Sequence, residues 1–287
     1  VSIQSLSSTS SSTSSAASTI LQRTRSGSFL NMTSQKTIDG GNGIASPTLS
    51  SKVGSALTAM QLGGEEGLRG LDLLSPVLQE DRPLGTEFGR IVLGLLDFLD
   101  TNVTDEARMK GLAALNALLS NRHAQPTVYN SFLFHVFTSI IQCLEDVDSF
   151  ESPIIKPASE CLYQLASVVD PVRLLPIILN YLKPGKDLPS LTVLPYAVHA
   201  LGFIPARLGK AACLQAAAEI VPIITPLIDH PQSLIRKEAV LCYSHLSMTL
   251  GEAFTPYLDS LPTTKRRLVT IFIAKMLPSS SSLNPSS

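Results

Sequence analysis

The sequence predicts an all-α fold, a solenoid of antiparallel helix pairs preceded by a disordered tail. Three observations carry this reading. From residue 65 onward one helix-period apolar pattern follows another, and no period-2 strand pattern bounded by turns recurs. Prolines punctuate the segments at their starts, and one set of residue types returns at a period near 40 residues.

The expected helices span roughly 65–79, 86–99, 104–120, 126–144, 154–169, 171–182, 189–204, 210–228, 232–250 and 262–276. Pro126, Pro171, Pro189, Pro231 and Pro262 stand at or near helix starts, where the missing N–H costs nothing and the fixed φ helps. Asp170 before Pro171 has the short acceptor side chain of an N-cap. Pro195, Pro222 and Pro226 fall inside apolar segments and predict kinks or early ends.

The period is legible by position. Arg108, Lys156 and Arg236 each open the second helix of a unit. Three residues later come the small Gly111, Ser159 and Ala239, seven later Leu115, Tyr163 and Tyr243, and ten later Leu118, Ala166 and Leu246. Offsets of 3, 7 and 10 share one helical face, and the small residues allow close helix approach. The steps of 48 and 80 residues leave room for one hidden unit, pairing helix 171–182 with helix 189–204. An acidic residue precedes each basic one, namely Asp100, Asp146 and Asp229. The run from Leu227 through Asp229 and Arg236 to Ala239 shows the pattern best: an apolar helix end, Asp, a polar turn, then Arg opening a new helix. The expectation is that Asp and Arg tie the two helices of one unit across their turn. A period of 40 to 47 residues is the HEAT or armadillo range.

The 287-residue chain begins at Val1, not Met, and is read as a fragment of something longer. Its first 55 residues hold 24 Ser or Thr, four basic residues and one acidic residue, Asp39. Residues 1–60, too poor in large apolar side chains to offset the entropy of ordering, are expected to form a disordered linker. Residues 61–277 are the helical-repeat domain and 278–287 a disordered C-terminal tail. The candidate phosphorylation sites are Ser26 and Ser28, each three residues after an arginine, and Ser46 before Pro47. After residue 55 the chain carries 18 basic and 22 acidic residues, which gives no bulk electrostatic argument for nucleic acid.

No membrane partner is expected either, since no apolar run of spanning length is read. Asn31-Met32-Thr33 and Asn102-Val103-Thr104 match the glycosylation tripeptide without other signs of secretion. Cys143, Cys161, Cys213 and Cys242 lie far apart in apolar helical contexts and read as reduced core thiols.

No catalytic or metal-ligating constellation occurs, and no cofactor is expected. His135, His199 and His245 sit in apolar helices and read as hydrogen-bonded core residues. The candidate contact residues are two basic groups: Arg236 and Lys237 beside an intra-unit turn, and Lys265, Arg266 and Arg267 opening the last helix. Their functional reading is electrostatic contact with an acidic partner along one edge of the solenoid.

The C-terminal stretch adds a family resemblance. Ser233-Leu234-Ile235-Arg236-Lys237, then Val240-Leu241-Cys242, then Gly251-Glu252-Ala253-Phe254-Thr255-Pro256-Tyr257-Leu258, and finally Lys265-Arg266-Arg267-Leu268-Val269 through Lys275 resemble the end of the CLASP proteins, the CLIP-associating microtubule regulators. The resemblance implies a TOG-like HEAT-repeat paddle following a Ser/Arg-rich linker. It implies a docking domain that recruits plus-end, kinetochore or cortical adaptors, supports self-association as a homodimer, and works in the cytoplasm on the cytoskeleton and spindle.

Microtubules and tubulin are then bound through other parts of the full protein. Tubulin-binding TOG domains of the family use a Trp in the first intra-repeat turn, and this chain contains no Trp. The first turn is read as Asp100 to Thr104, with Val103 the nearest substitute anchor. The alternatives are a tubulin-binding TOG domain lacking the usual Trp, or a HEAT scaffold of an unrelated complex.

Overall fold

The computed structural model describes residues 48–276 apart from 81, 102–103, 124–125 and 184–189. Ser26, Ser28 and Ser46 lie outside the described residues, as does the expected tail from 278 on. The described residues form no strand.

The first helix, α1 (Leu49–Leu62), corrects the expected domain start at residue 61. The Thr48 side chain accepts a hydrogen bond from the Ser51 N–H, capping its start. Val53, Ala56 and Met60, spaced by three and four, are buried on one face, while the Ser and Thr residues lie on the others. The polar composition hides a narrow apolar stripe that suffices once a second helix covers it.

That second helix is α2 (Gly64–Gln79), joined through Gly63 and Gly64, both at positive φ. Glu65 and Glu66 in its first turn suit the helix dipole. Gly70 meets α1 backbone to backbone: a Cβ there would lie 2.6 Å from the Met60 nitrogen and 2.7 Å from the Ala56 oxygen.

The chain continues through α3 (Glu87–Thr101), α4 (Asp105–Leu119), the single-turn α5 (Pro126–Asn130), α6 (Leu133–Glu145), α7 (Ile155–Val168), α8 (Pro171–Leu182), α9 (Leu194–Leu208) and α10 (Lys210–Ile224). After a 3₁₀ turn (Pro226–Asp229) come α11 (Ser233–Leu250), a second 3₁₀ turn (Gly251–Phe254), α12 (Thr255–Asp259) and α13 (Thr263–Met276). Asp170 caps α8 by accepting from the Val172 N–H at 3.0 Å, with Pro171 at its first position. Pro195 opens α9 instead of kinking it, so that helix starts later than 189. Pro222 stays inside α10, and Pro226 opens the 3₁₀ turn just after α10 ends.

The pairs are α1/α2, α3/α4, α6/α7, α8/α9 and α10/α11. In one layer α1 packs on α3, α3 on α6 and α8 on α10; in the other, α2, α4, α7, α9, α11 and α13 follow one another. This is a HEAT-repeat solenoid, and the hidden unit is α8/α9. The 48-residue step from Arg108 to Lys156 is explained by α5, an extra turn inserted between α4 and α6. Residues at the +3 and +10 offsets are buried, as are Leu115 and Tyr243; Tyr163 alone of the +7 set is half-buried.

The α10 segment and its 3₁₀ turn form a 20-residue apolar stretch, Lys210–Asp229, long and apolar enough to cross a membrane. That corrects the expectation that no run reaches this length. In the solenoid Cys213, Ala216, Ala217, Ile220, Val221 and Ile224 are buried against neighbouring helices, which accounts for the composition.

Candidate partner-binding surfaces

Every second helix begins at an intra-unit turn, so these turns line one edge of the solenoid. Arg108, Asp146 and Asp229 do not pair within their own units. The Arg108 Nη2 donates to Asp146 Oδ2 of the following unit at 2.5 Å, and the Gln142 Nε2 donates to the other Asp146 oxygen at 2.7 Å. Asp229 pairs with Lys265 of α13. Arg236 donates instead to the carbonyls of His230 and Pro231, at 2.8 and 2.6 Å, and so braces the turn before its own helix. The expected intra-unit Asp–Arg tie is therefore corrected for Arg108 and Arg236: the Asp146 and Asp229 carboxylates join neighbouring units, and Arg236 holds backbone.

A further correction concerns the first intra-unit turn. With α1 in place it is Leu62-Gly63-Gly64, not Asp100 to Thr104. Leu62 stands 72% exposed there, followed by Glu65 and Glu66. Later turns along the edge carry the exposed Asp105, Glu106, Asp148 and Glu151. Val103 lies outside the described residues.

Lys237 is exposed, its amine 3.6 Å from Glu238. Arg266 donates to Asp259 at 2.7 Å. Lys265, Arg266 and Arg267 stand in the first turn of α13, where the dipole disfavours cations, and the two carboxylates offset this for Lys265 and Arg266. Arg267 points outward and is exposed.

A polar cluster on α7, α9 and α11 was not anticipated. Glu238 is 5% exposed, and one of its oxygens lies 2.5 Å from His199 Nδ1. The His199 ring packs on Tyr163 at 4.3 Å between centroids, tilted by 48°, and meets Phe203 edge-on at 5.1 Å. Burial, then the nearby Glu238 charge, raises the Tyr163 hydroxyl above its ordinary range. Burial, then His199, lowers His245. His199 and Glu238 are 39 residues apart, one repeat length, which is the sequence signal that could have found the pair. His199 thus has its expected hydrogen bond, whereas His135 is exposed on α6 beside Phe134 and is no core residue.

Cys143 and Cys242 are not poised as nucleophiles. Burial pushes the thiol of Cys143 up to about 11 and that of Cys242 up to about 12, so both are protonated at neutral pH. Among the described residues no group of three or more His, Cys, Asp or Glu is placed to hold a metal. An open cleft of about 460 Å³ between the C-terminal ends of α4 and α7 is lined by Asn121, Arg122, Tyr129 and Gln164. Its Asn121 amide and Tyr129 hydroxyl already donate to the carbonyls of Arg82 and Leu118.

Fold and surfaces together define a protein of the helical-repeat class, with a row of intra-unit turns along one edge and an end helix exposed on one face. The similarity to known proteins is more particular. No family model matches the chain. The CLIP-associated protein of Arabidopsis thaliana is 29% identical over 115 residues, 40% of this chain and 8% of that protein. CLIP-associating protein 1-A of Xenopus laevis is 24% identical over 201 residues, 70% of this chain and 13% of that protein. The chain is thus similar at modest identity to CLIP-associating proteins, as its C-terminal residues indicated, and spans a small part of their length. The crystal structure of the MAST/Orbit N-terminal domain shares the fold, with a TM-score of 0.53 and 17% identity over 77% of this chain and 95% of that one.

Proposed function

We propose that this chain is a non-catalytic docking domain, the C-terminal HEAT-repeat part of a CLIP-associating-type regulator of microtubule plus ends. It recruits protein partners for microtubule stabilisation and for spindle and kinetochore attachment, in the cytoplasm on the cytoskeleton. Other parts of the longer protein contact the microtubule. The observation that carries this reading is the edge of intra-unit turns. It has no Trp, it opens on Leu62-Gly63-Gly64, and the exposed charges of its first three turns include Glu65, Glu66, Asp105, Glu106, Asp148 and Glu151. Tubulin capture in the family rests on an aromatic anchor with basic residues behind it. Losing such an anchor costs a few kcal/mol, on the order of 2–4, and acids along the edge repel an acidic surface.

The test is gel filtration of the full chain with soluble αβ-tubulin at low salt. Separate elution is the expected result. Co-elution overturns the reading. A cut at residue 60 is avoided because it would remove most of α1.

A second reading, a tubulin-binding TOG domain, is favoured by one observation: Leu62 is an exposed aliphatic side chain at the tip of the first turn. On that reading Leu62→Ala abolishes co-elution. Among the basic candidates, Lys237 and Arg267 are the exposed contact residues of the docking proposal, while Arg236, Lys265 and Arg266 already hold parts of the fold.

A further inference from the structure

The second-layer helices receive one another in turn: α2 receives α4, α4 receives α7, α7 receives α9, α9 receives α11, and α11 receives α13. On α13 the inner face is closed by Val269, fully buried, with Phe272, Ile273 and Met276 half-buried. Its outer face keeps Leu268 at 40% and Ile271 at 43% exposure. These two lie one turn apart, with Arg267 beside them at one end and Lys275 one further turn along. The helix carries four basic residues and no acidic one. Lys265 and Arg266 are paired with Asp229 and Asp259, so the charges left to flank the open apolar pair are Arg267 and Lys275, whose amine lies 5.8 Å from the Phe272 ring centroid.

We infer that the outer face of α13 is an interaction surface for an acidic amphipathic helix of a partner protein. Such a helix would lay a pair of aliphatic residues on Leu268 and Ile271 and place carboxylates opposite Arg267 and Lys275. A helix is the matching shape because each preceding second-layer helix is covered in this way. Acidity follows from charge complementarity. A second copy of α13 would bring its own Arg267 and Lys275 against this face, so like charges oppose self-association here. The inference names the partner class for the docking function proposed above and rests on that reading. It moves the contact from the three-residue basic group to the Arg267–Leu268–Ile271–Lys275 stripe.

The experiment uses the full chain and fluorescein-labelled helical peptides of one length. Each peptide presents Leu at i and i+4, flanked by four Glu, by four Gln or by four Lys. Anisotropy titration is expected to rank them Glu tightest and Lys weakest, at least tenfold apart at low salt. Leu268→Asp combined with Ile271→Asp is expected to reduce binding of the Glu peptide at least tenfold. Arg267→Glu combined with Lys275→Glu is expected to invert the ranking. Circular dichroism spectra and melts of both variants show whether they remain folded, and the charge inversion is a gain that unfolding could not produce.

Equal affinities across the three peptides, no binding by any of them, or unchanged binding by the double-Asp variant would overturn the inference. So would sedimentation with phosphatidylserine vesicles that is lost in the same variants without any peptide binding, since the face would then be a membrane contact. Tubulin co-elution reads the docking proposal separately: tubulin bound and the Glu peptide preferred would reject that proposal while leaving this surface standing.

Discussion

The two ends of the solenoid hold the same repeat together by different means. In α1 to α4 the seams close through missing side chains. Gly70 sits against the α1 backbone, and a Cβ on Gly67 would lie 2.9 Å from the Phe98 ring. One on Gly111 would lie 2.8 Å from Leu99. In α7 to α13 the seams carry polar bonds between units. Arg207 donates to the carbonyls of Ala166 and Val169 at the end of α7, at 2.5 and 2.6 Å. His199 meets Glu238, and Lys265 meets Asp229. The difference teaches that a repeat period fixes which helices meet and leaves open what joins them. A seam made by close approach tolerates changes of pH and salt; a seam made by polar pairs depends on keeping both partners.

The comparison can be broken at its strongest point first. Gly70→Leu forces a side chain into backbone and is expected to cost about 3 kcal/mol by overpacking. A thermal melt of the full chain followed by circular dichroism checks this, and an unchanged melt would show that α1 is not clamped there. Next, Arg207→Ala removes two charge-assisted bonds and leaves the α7 carbonyls without them, an expected loss of about 2 kcal/mol. Hydrogen exchange should quicken at the α7–α9 seam and stay unaltered in α1 and α2. Uniform quickening would mean the seams are not separable.

Acidification sharpens the contrast by a smaller amount. His245 has its folded value depressed by burial and by His199, so the unfolded chain binds its proton more readily. Stability from this residue is complete above its unfolded value, near 6.5, and declines as pH falls below it. Urea melts at pH 7.5 and 5.5 should therefore show a drop that His245→Leu reduces; an equal drop in that variant would assign the effect to other groups. The smallest effect is expected for Lys265→Met, about 0.5 kcal/mol, because its partner Asp229 is largely exposed. High salt should mask it.

The parts of this organisation that were legible in the sequence are those written locally. Pro171 after Asp170, Pro262 before α13 and the 3, 7 and 10 offsets after Arg108, Lys156 and Arg236 each state a helix start or a buried face in adjacent residues. The α1 helix escaped notice because Val53, Ala56 and Met60 stand among Ser and Thr, and its stability depends on α2 more than on its own composition. Partners across units escaped for a different reason. Arg236 was correctly placed at a helix start, yet nothing local distinguishes bracing its own turn from pairing with Asp229.

Many long-range polar bonds do share one mark, a separation near the repeat length. It is 38 for Arg108 with Asp146, 39 for His199 with Glu238, and 41 for Arg207 with Ala166. Two others are longer, 48 for the Thr192 hydroxyl with the Leu144 carbonyl and 49 for the Cys161 thiol with the Leu112 carbonyl. The exposed stripe of α13 was only half visible, since its basic residues could be read and the carboxylate partners of two of them could not.

The bonds at one-repeat spacing also bear on how the molecule carries a pull. Force applied along the stack loads each seam in series, so the weakest seam yields first. Polar seams of short reach lose their hold after a small extension, and apolar contact between close-fitting helices can slide before it parts. A tether drawn from the α13 end would therefore part brittle joints one unit at a time, while α1 to α4 remained a compact anchor.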